Sequence, residues 1–141
     1  MLRHGVFITG TDTDVGKTRV SAGLLHAWGR RGLRTVACKP VAAGIPIGES
    51  VNGDVRALQA ACTPPLATEV VGPLQLQRPC APNIAAALEG HTIDLATLHA
   101  AVQAAATHAE VLLVEGAGGF CVPKGEVGNC SSGFPNTGAC Y

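Results

Sequence analysis

The chain has 141 residues with ten basic and ten acidic side chains, so its formal net charge of +0 gives no bulk attraction to nucleic acid or a membrane surface, and its ligand should be local and specific. Hydrophobic residues make up 47% of it and aromatics only 4%, a globular composition whose core must come from small and branched side chains. The length suits one domain and is short for a complete doubly wound nucleotide enzyme.

At the N-terminus, Met1-Leu2-Arg3-His4 is followed by only a short apolar run before a polar loop begins, with no cleavage-site pattern. No stretch approaches the length of a membrane span, and a cytoplasmic protein is expected. Val6, Phe7 and Ile8 have the β-branched and aromatic character of a buried strand. The loop after them, G-T-D-T-D-V-G-K-T from Gly10 to Thr18, ends where a helix-compatible stretch starts. Strand, glycine-bounded loop and helix start are the context of a phosphate-binding loop. There, backbone N–H groups turn inward to phosphate oxygens, the lysine (Lys17) reaches the β and γ phosphates, and the hydroxyl (Thr18) ligates Mg²⁺. The usual spelling would place glycine at position 11; Thr11 stands there instead. The plain alternative is a Gly/Thr/Asp-rich turn between a strand and a helix.

From Lys17 to about Arg31, Val20, Leu24 and Trp28 make one apolar helical stripe, with Gly32 as the stop. Arg34 to Cys38 reads as a second strand, parallel to the first through a right-handed crossover, and it ends in Lys39-Pro40. Ligands of such sheets sit at the C-terminal strand ends, so Lys39 should face the same edge as the phosphate loop. Val41 to Gly53 reads as a loop. Asp54 then opens V-R-A-L-Q-A-A, either as the cap of that helix or as a carboxylate near the phosphates that helps hold Mg²⁺.

Thr63 to Pro82 is proline-rich and expected to be irregular, with a short strand around Leu74 to Gln77. A short helix over Asn83 to Glu89 is stopped by Gly90, and Thr92 to His108 forms a longer one with Leu95, Leu98, Val102 and Ala105 on one face. Glu110 to Val114 is a near-continuous apolar strand that runs into Glu115-Gly116-Ala117-Gly118-Gly119. An acidic residue at a strand end before a glycine-rich turn is where a phosphate-loop enzyme places a second Mg²⁺-organising carboxylate; otherwise it is a solvated glutamate before a loose turn. The six cysteines (Cys38, Cys62, Cys80, Cys121, Cys130, Cys140) show neither C-x-x-C pairs nor zinc spacing and read as reduced thiols. The five histidines form no ligand pair, and no G-x-S-x-G elbow supports a hydrolase triad.

Taken together and in this order, G-T-D-T-D-V-G-K-T, K-P-V-A-A-G, D-V-R-A-L-Q, A-P-N-I-A-A-A-L-E-G and V-E-G-A-G-G resemble the dethiobiotin synthetase family over roughly residues 3 to 123. The resemblance implies an α/β, P-loop NTPase-like fold with a mostly parallel sheet flanked by helices. It also implies a cytoplasmic homodimeric ligase of biotin biosynthesis that uses ATP as co-substrate and Mg²⁺ to close the ureido ring of dethiobiotin from CO₂ and a diamine, 7,8-diaminononanoate. By matching position it implies that Asp14, Val15, Gly16, Lys17, Thr18, Asp54, Glu115, Gly116, Ala117 and Gly118 contact nucleotide, and that Thr18, Asp54 and Glu115 organise the metal. Thr13, Lys39 and Ala43 would meet substrate, with Lys17 and Lys39 as the catalytic cations. Ala43 departs from the family, which has serine or threonine there. Beyond Pro123 the family continues with further strands and helices that read adenine and build the dimer, whereas the tail K-G-E-V-G-N-C-S-S-G-F-P-N-T-G-A-C-Y has no helical or alternating period. The expectation is therefore an N-terminal part of such a domain over 1–123 with its C-terminal part missing, and an aberrant, disordered tail over 124–141. On that expectation the chain is a poor, poorly soluble enzyme with open sheet edges. A partition-type regulatory P-loop ATPase is a second reading, against which Asp12 stands where a signature lysine would be, and an inactive nucleotide-binding remnant is a third.

Overall fold

The computed structural model describes residues 1–119 of the chain, and the expectation for the 124–141 tail lies outside the described residues. In chain order the elements are β1 (His4–Ile8), α1 (Lys17–Gly29), β2 (Thr35–Cys38), β3 (Val41–Ala43), α2 (Gly53–Ala61), α3 (Thr68–Val71), β4 (Leu74–Leu76), α4 (Pro82–Glu89), α5 (Leu95–Ala106) and β5 (Val111–Glu115). The first and second strands are not neighbours. β5 inserts between them, giving a three-stranded sheet in the order β1-β5-β2 in which both pairings are parallel. The register sets Ile8 opposite Glu115 and Cys38 opposite Val114, so the ends of all three strands lie level at one edge.

A parallel sheet is covered on both faces, and the period of two along a strand divides its side chains between them. Ala37 and Leu113 face a core shared with Leu25 of α1 and Val55, Leu58 and Ala61 of α2. Val36, Cys38, Leu112 and Val114 face the opposite core, against Val102 and Ala105 of α5. Every residue of β2 and of β5 is buried, as their near-continuous apolar runs require. The α/β class with a parallel sheet flanked by helices is thus the observed architecture.

Several local expectations are corrected. The Val41 to Gly53 segment is not all loop: Val41–Ala43 forms β3, paired in parallel with β4 as a separate two-stranded sheet, and Val41 and Leu76 are buried against Ala85 and Ala86 of α4. The proline-rich segment contains the short strand expected there, ending at Leu76, and also the single turn of α3. On α1 the buried positions are Lys17, Ser21 and Leu25, one residue round from the expected stripe, and Val20 is 56% exposed. The helix turns that way because its first two turns present polar groups to Glu115 beneath them. It also stops at Gly29, and Gly32 takes its left-handed conformation (φ 81°) in the turn beyond.

The cap of α2 is Asn52, not Asp54. The Asn52 side-chain oxygen accepts from the N–H groups of Asp54 (3.0 Å) and Val55 (3.3 Å), while its amide donates to the carbonyls of Ala43 (3.3 Å) and Gly44 (2.8 Å). One side chain therefore satisfies the helix start and ties it to the end of β3. The carboxylate of Asp54 is left free of capping duty.

Gly72 lies where a side chain cannot fit, since a Cβ there would come within 2.6 and 2.7 Å of the two methyl carbons of fully buried Val55. Gly72→Ala is expected to destabilise the fold by about 1–3 kcal/mol through overpacking. Denaturant unfolding reads this directly, and a midpoint equal to the parent's would show that α2 can move aside at no cost.

Among the described residues no helix is long and apolar enough to cross a membrane.

Candidate active site

The loop after β1 turns through two left-handed residues, Asp14 (φ 58°) and Gly16 (φ 102°), before Lys17 starts α1. Gly10 is required by contact: a Cβ there would sit 2.7 Å from a Val15 methyl and 3.2 Å from Cγ of Lys17. The 13-residue α1 has no side-chain cap at its start, so its first N–H groups and the positive end of its dipole are open to an anion. Lys17 is only 9% exposed and its ammonium folds back to the carbonyl of Asp12 at 2.5 Å, lying along the loop it would serve.

Below the loop, the end of β5 places Glu115 with no exposed surface. A carboxylate so buried needs donors, and it has three. Its Oε1 accepts from Thr18 Oγ1 at 2.7 Å and from Lys39 Nζ at 2.9 Å, and its Oε2 accepts from Ser21 Oγ at 2.7 Å. Lys39, one residue past β2 and 5% exposed, also donates to Asp54 Oδ2 at 2.7 Å. Strand ends of β5 and β2 and helix starts of α1 and α2 therefore converge on one polar cluster. Its outer member is Asp54, whose side chain keeps half of its exposure.

Two adjoining clefts open over this cluster. The smaller, about 280 Å³, is lined by Thr13, Asp14, Gly16, Lys17, Thr18, Lys39, Asp54 and Gly118. The larger, about 460 Å³, shares Thr13, Asp14, Lys39, Asp54 and Gly118 with it and adds Ala43, Ala117 and the run Pro79 to Pro82. Most residues named from sequence thus meet at one place. Three stand apart: Glu115 lies beneath the cleft floor, Val15 is 51% exposed beside Phe7, Ile8 and Val20, and Gly116 uses its N–H on the carbonyl of Ile8 at 2.9 Å. The close approach expected of the glycine-rich turn is made to the phosphate loop itself, because a Cβ on Gly119 would fall 2.8 Å from the carbonyl oxygen of Thr11. Sequence reading missed Ser21 and the Pro79–Pro82 wall. A hydroxyl three residues after Thr18 on the same helical face was the available signal for the first.

A family model described as AAA domain matches residues 4–130. The chain belongs to the AAA domain family. Within it, the chain is 49% identical over 120 residues to the ATP-dependent dethiobiotin synthetase BioD of Pseudomonas aeruginosa (strain UCBPP-PA14). That alignment takes in 83% of this chain and 53% of the relative, so the chain spans about half the length of the relative it matches. The similarity to dethiobiotin synthetases drawn from the motifs is borne out.

In this AAA domain hard oxygen donors stand at the cleft, the Thr18 hydroxyl and the Asp54 carboxylate, with the Glu115 carboxylate directly beneath, bonded to Thr18 and joined to Asp54 through Lys39. They suit Mg²⁺, which is held by one or two carboxylates together with substrate phosphates rather than by an all-protein cage.

The two residues that lead into the Pro79–Pro82 wall of the AAA domain are held by Glu89, whose two carboxylate oxygens accept from the N–H groups of Gln77 (3.0 Å) and Arg78 (2.9 Å). The bond from Gln77 and then that from Arg78 hold its pKa below the usual carboxylate range. A depressed pKa stabilises the fold above the unfolded-state value, and that stabilisation is lost as pH falls through the lower folded-state value. Glu89→Gln should therefore lower stability at neutral pH and blunt its fall on acidification. Equal pH dependence of the melting midpoint in parent and variant would refute this.

Proposed function

We propose that this chain forms the phosphate- and substrate-binding face of an ATP- and Mg²⁺-dependent dethiobiotin synthetase, which closes a ureido ring from 7,8-diaminononanoate and CO₂ with release of ADP and phosphate. The observation that carries the reading is Lys39, whose ammonium lines both clefts and so stands between a phosphate site and the space beside Ala43 and Pro79. The small molecules are its partners in this reading, and the working form is a homodimer.

In the first step an amine of the diamine attacks CO₂ to give a carbamate. A carbamate oxygen is a poor leaving group until it takes the γ-phosphoryl of ATP and ADP departs; the second amine then attacks the carbonyl carbon, and phosphate leaves as the ring closes. Positioning and charge stabilisation are the protein's part in such a transfer. The loop N–H groups and Lys17 would hold the β and γ phosphates. Thr18, Asp54 and Glu115 would hold Mg²⁺, which when bound neutralises charge on the phosphates. Lys39 would swing from its two carboxylates to the oxygen between carbamate and phosphorus, where negative charge is shared. Thr13 and Ala43 would border the diamine, with backbone rather than a hydroxyl facing it at position 43.

The test is ADP release from ATP and Mg²⁺ that depends on both diamine and CO₂, with dethiobiotin identified by mass. It is run on the chain and on a chimera in which the Pseudomonas relative supplies the remainder of its length. Diamine-dependent turnover by the chimera is expected; nucleotide hydrolysis that ignores the diamine would overturn the reading.

A further inference from the structure

Of the three donors on Glu115, two belong to residues the proposed reaction needs elsewhere. Thr18 would turn its hydroxyl to a metal ion, and Lys39 would move toward substrate. The third, Ser21, has no exposed surface and a single short bond, 2.7 Å to Oε2, on the side of the carboxylate away from both. A buried carboxylate relieved of its other donors would be free to rotate, and one charge-assisted hydrogen bond is the protein contact that remains to orient it toward the metal. We propose that Ser21 is the positioning residue of the metal site: it pins Oε2 so that Oε1 keeps facing Thr18 and the cleft when lysine leaves. This rests on the nucleotide reading above. Ser21 touches neither nucleotide nor substrate and acts only through Glu115.

The proposal separates metal affinity from phosphate affinity. In the unchanged chain, Mn²⁺ binding is followed by the electron paramagnetic signal of the free ion, with and without a non-hydrolysable ATP analogue, and analogue binding is measured with and without metal. Ser21→Ala is expected to weaken Mn²⁺ in the ternary complex about tenfold, the scale of one lost hydrogen bond to a charged group, while metal-free analogue binding stays as in the parent. Ser21→Thr, which keeps the hydroxyl, should recover the metal affinity. Should its extra methyl prevent folding at so buried a site, Ser21→Cys, with a weak S–H donor, should fall between parent and alanine. Metal and metal-free affinities falling in the same proportion, or neither changing, would overturn the role of Ser21. Thr18→Ala distinguishes the two levels. If it weakens Mn²⁺ while Ser21→Ala does not, the positioning role alone fails; if Thr18→Ala also leaves Mn²⁺ binding intact, the nucleotide reading fails and Ser21's role with it.

Discussion

Lys17→Ala is expected to reduce affinity for Mg-ATP by about a hundredfold. The side chain is nearly buried, and its ammonium is already folded along the loop at 2.5 Å from the Asp12 carbonyl, so little ordering is needed for it to meet a phosphate. Hydrogen bonds to charged groups contribute about 1.5–3 kcal/mol each, and the lysine would make two, one to each terminal phosphate. At about 1.4 kcal/mol per factor of ten, the loss spans roughly two decades or more. Alanine leaves the loop backbone and the start of α1 in place, so the parent's melting midpoint should be largely kept. Titration with a fluorescent ATP analogue decides the matter, and an affinity equal to the parent's would mean that the loop does not hold phosphate through this residue.

Lys39→Gln should instead lower turnover, by about a hundredfold, with a much smaller change in nucleotide affinity. A cation poised over charge that builds up only during transfer stabilises the transition state more than the ground state, and removing one such donor typically costs about 10²–10³ in kcat. The substitution also has a structural effect. Breaking a buried ion pair by removing one partner costs about 3–5 kcal/mol, lessened here because Thr18 and Ser21 go on donating to Glu115 and because Asp54 is half exposed. Rate and stability must therefore be measured together, in the chimera described above. A variant that melts early yet turns over the diamine at the parent rate would leave Lys39 a structural ion and nothing more.

The parts of the site that were legible in the sequence are those whose signal is local. Lys17 and Thr18 follow from a loop spelled in one stretch, and Lys39 and Glu115 follow from sitting at the ends of apolar strands, where the parallel arrangement aims them at one edge. What was not legible depends on partners far along the chain. Asn52 and Asp54 are both good caps by residue type; the choice between them is made by the carbonyls of Ala43 and Gly44, which only Asn52 reaches with a donor. The three-residue β3 is too short for a period to show, and it exists because β4 and the alanine face of α4 cover it. Ser21 escaped a reading that followed apolar spacing, since its burial serves a carboxylate. The Glu89 carboxylate, likewise, does its work on backbone N–H groups a dozen positions earlier.

The order β1-β5-β2 has a consequence for how the chain comes to be folded at all. Neither edge strand has a ladder partner in the three-stranded sheet until β5 arrives, and the pairing of His4 with Val111 closes a loop that takes in nearly the whole described chain. The entropy of that closure has to be met before the sheet gains its first ladder, which places the molecule among high-contact-order, slow-folding topologies. On the ribosome, β1 and β2 leave the tunnel long before β5 is translated, and during that interval their apolar faces and backbone groups are unpaired. The residue beneath the cleft floor, Glu115, belongs to the same late strand, so the nascent chain displays its phosphate loop well before the carboxylate that bonds Thr18 and Lys39.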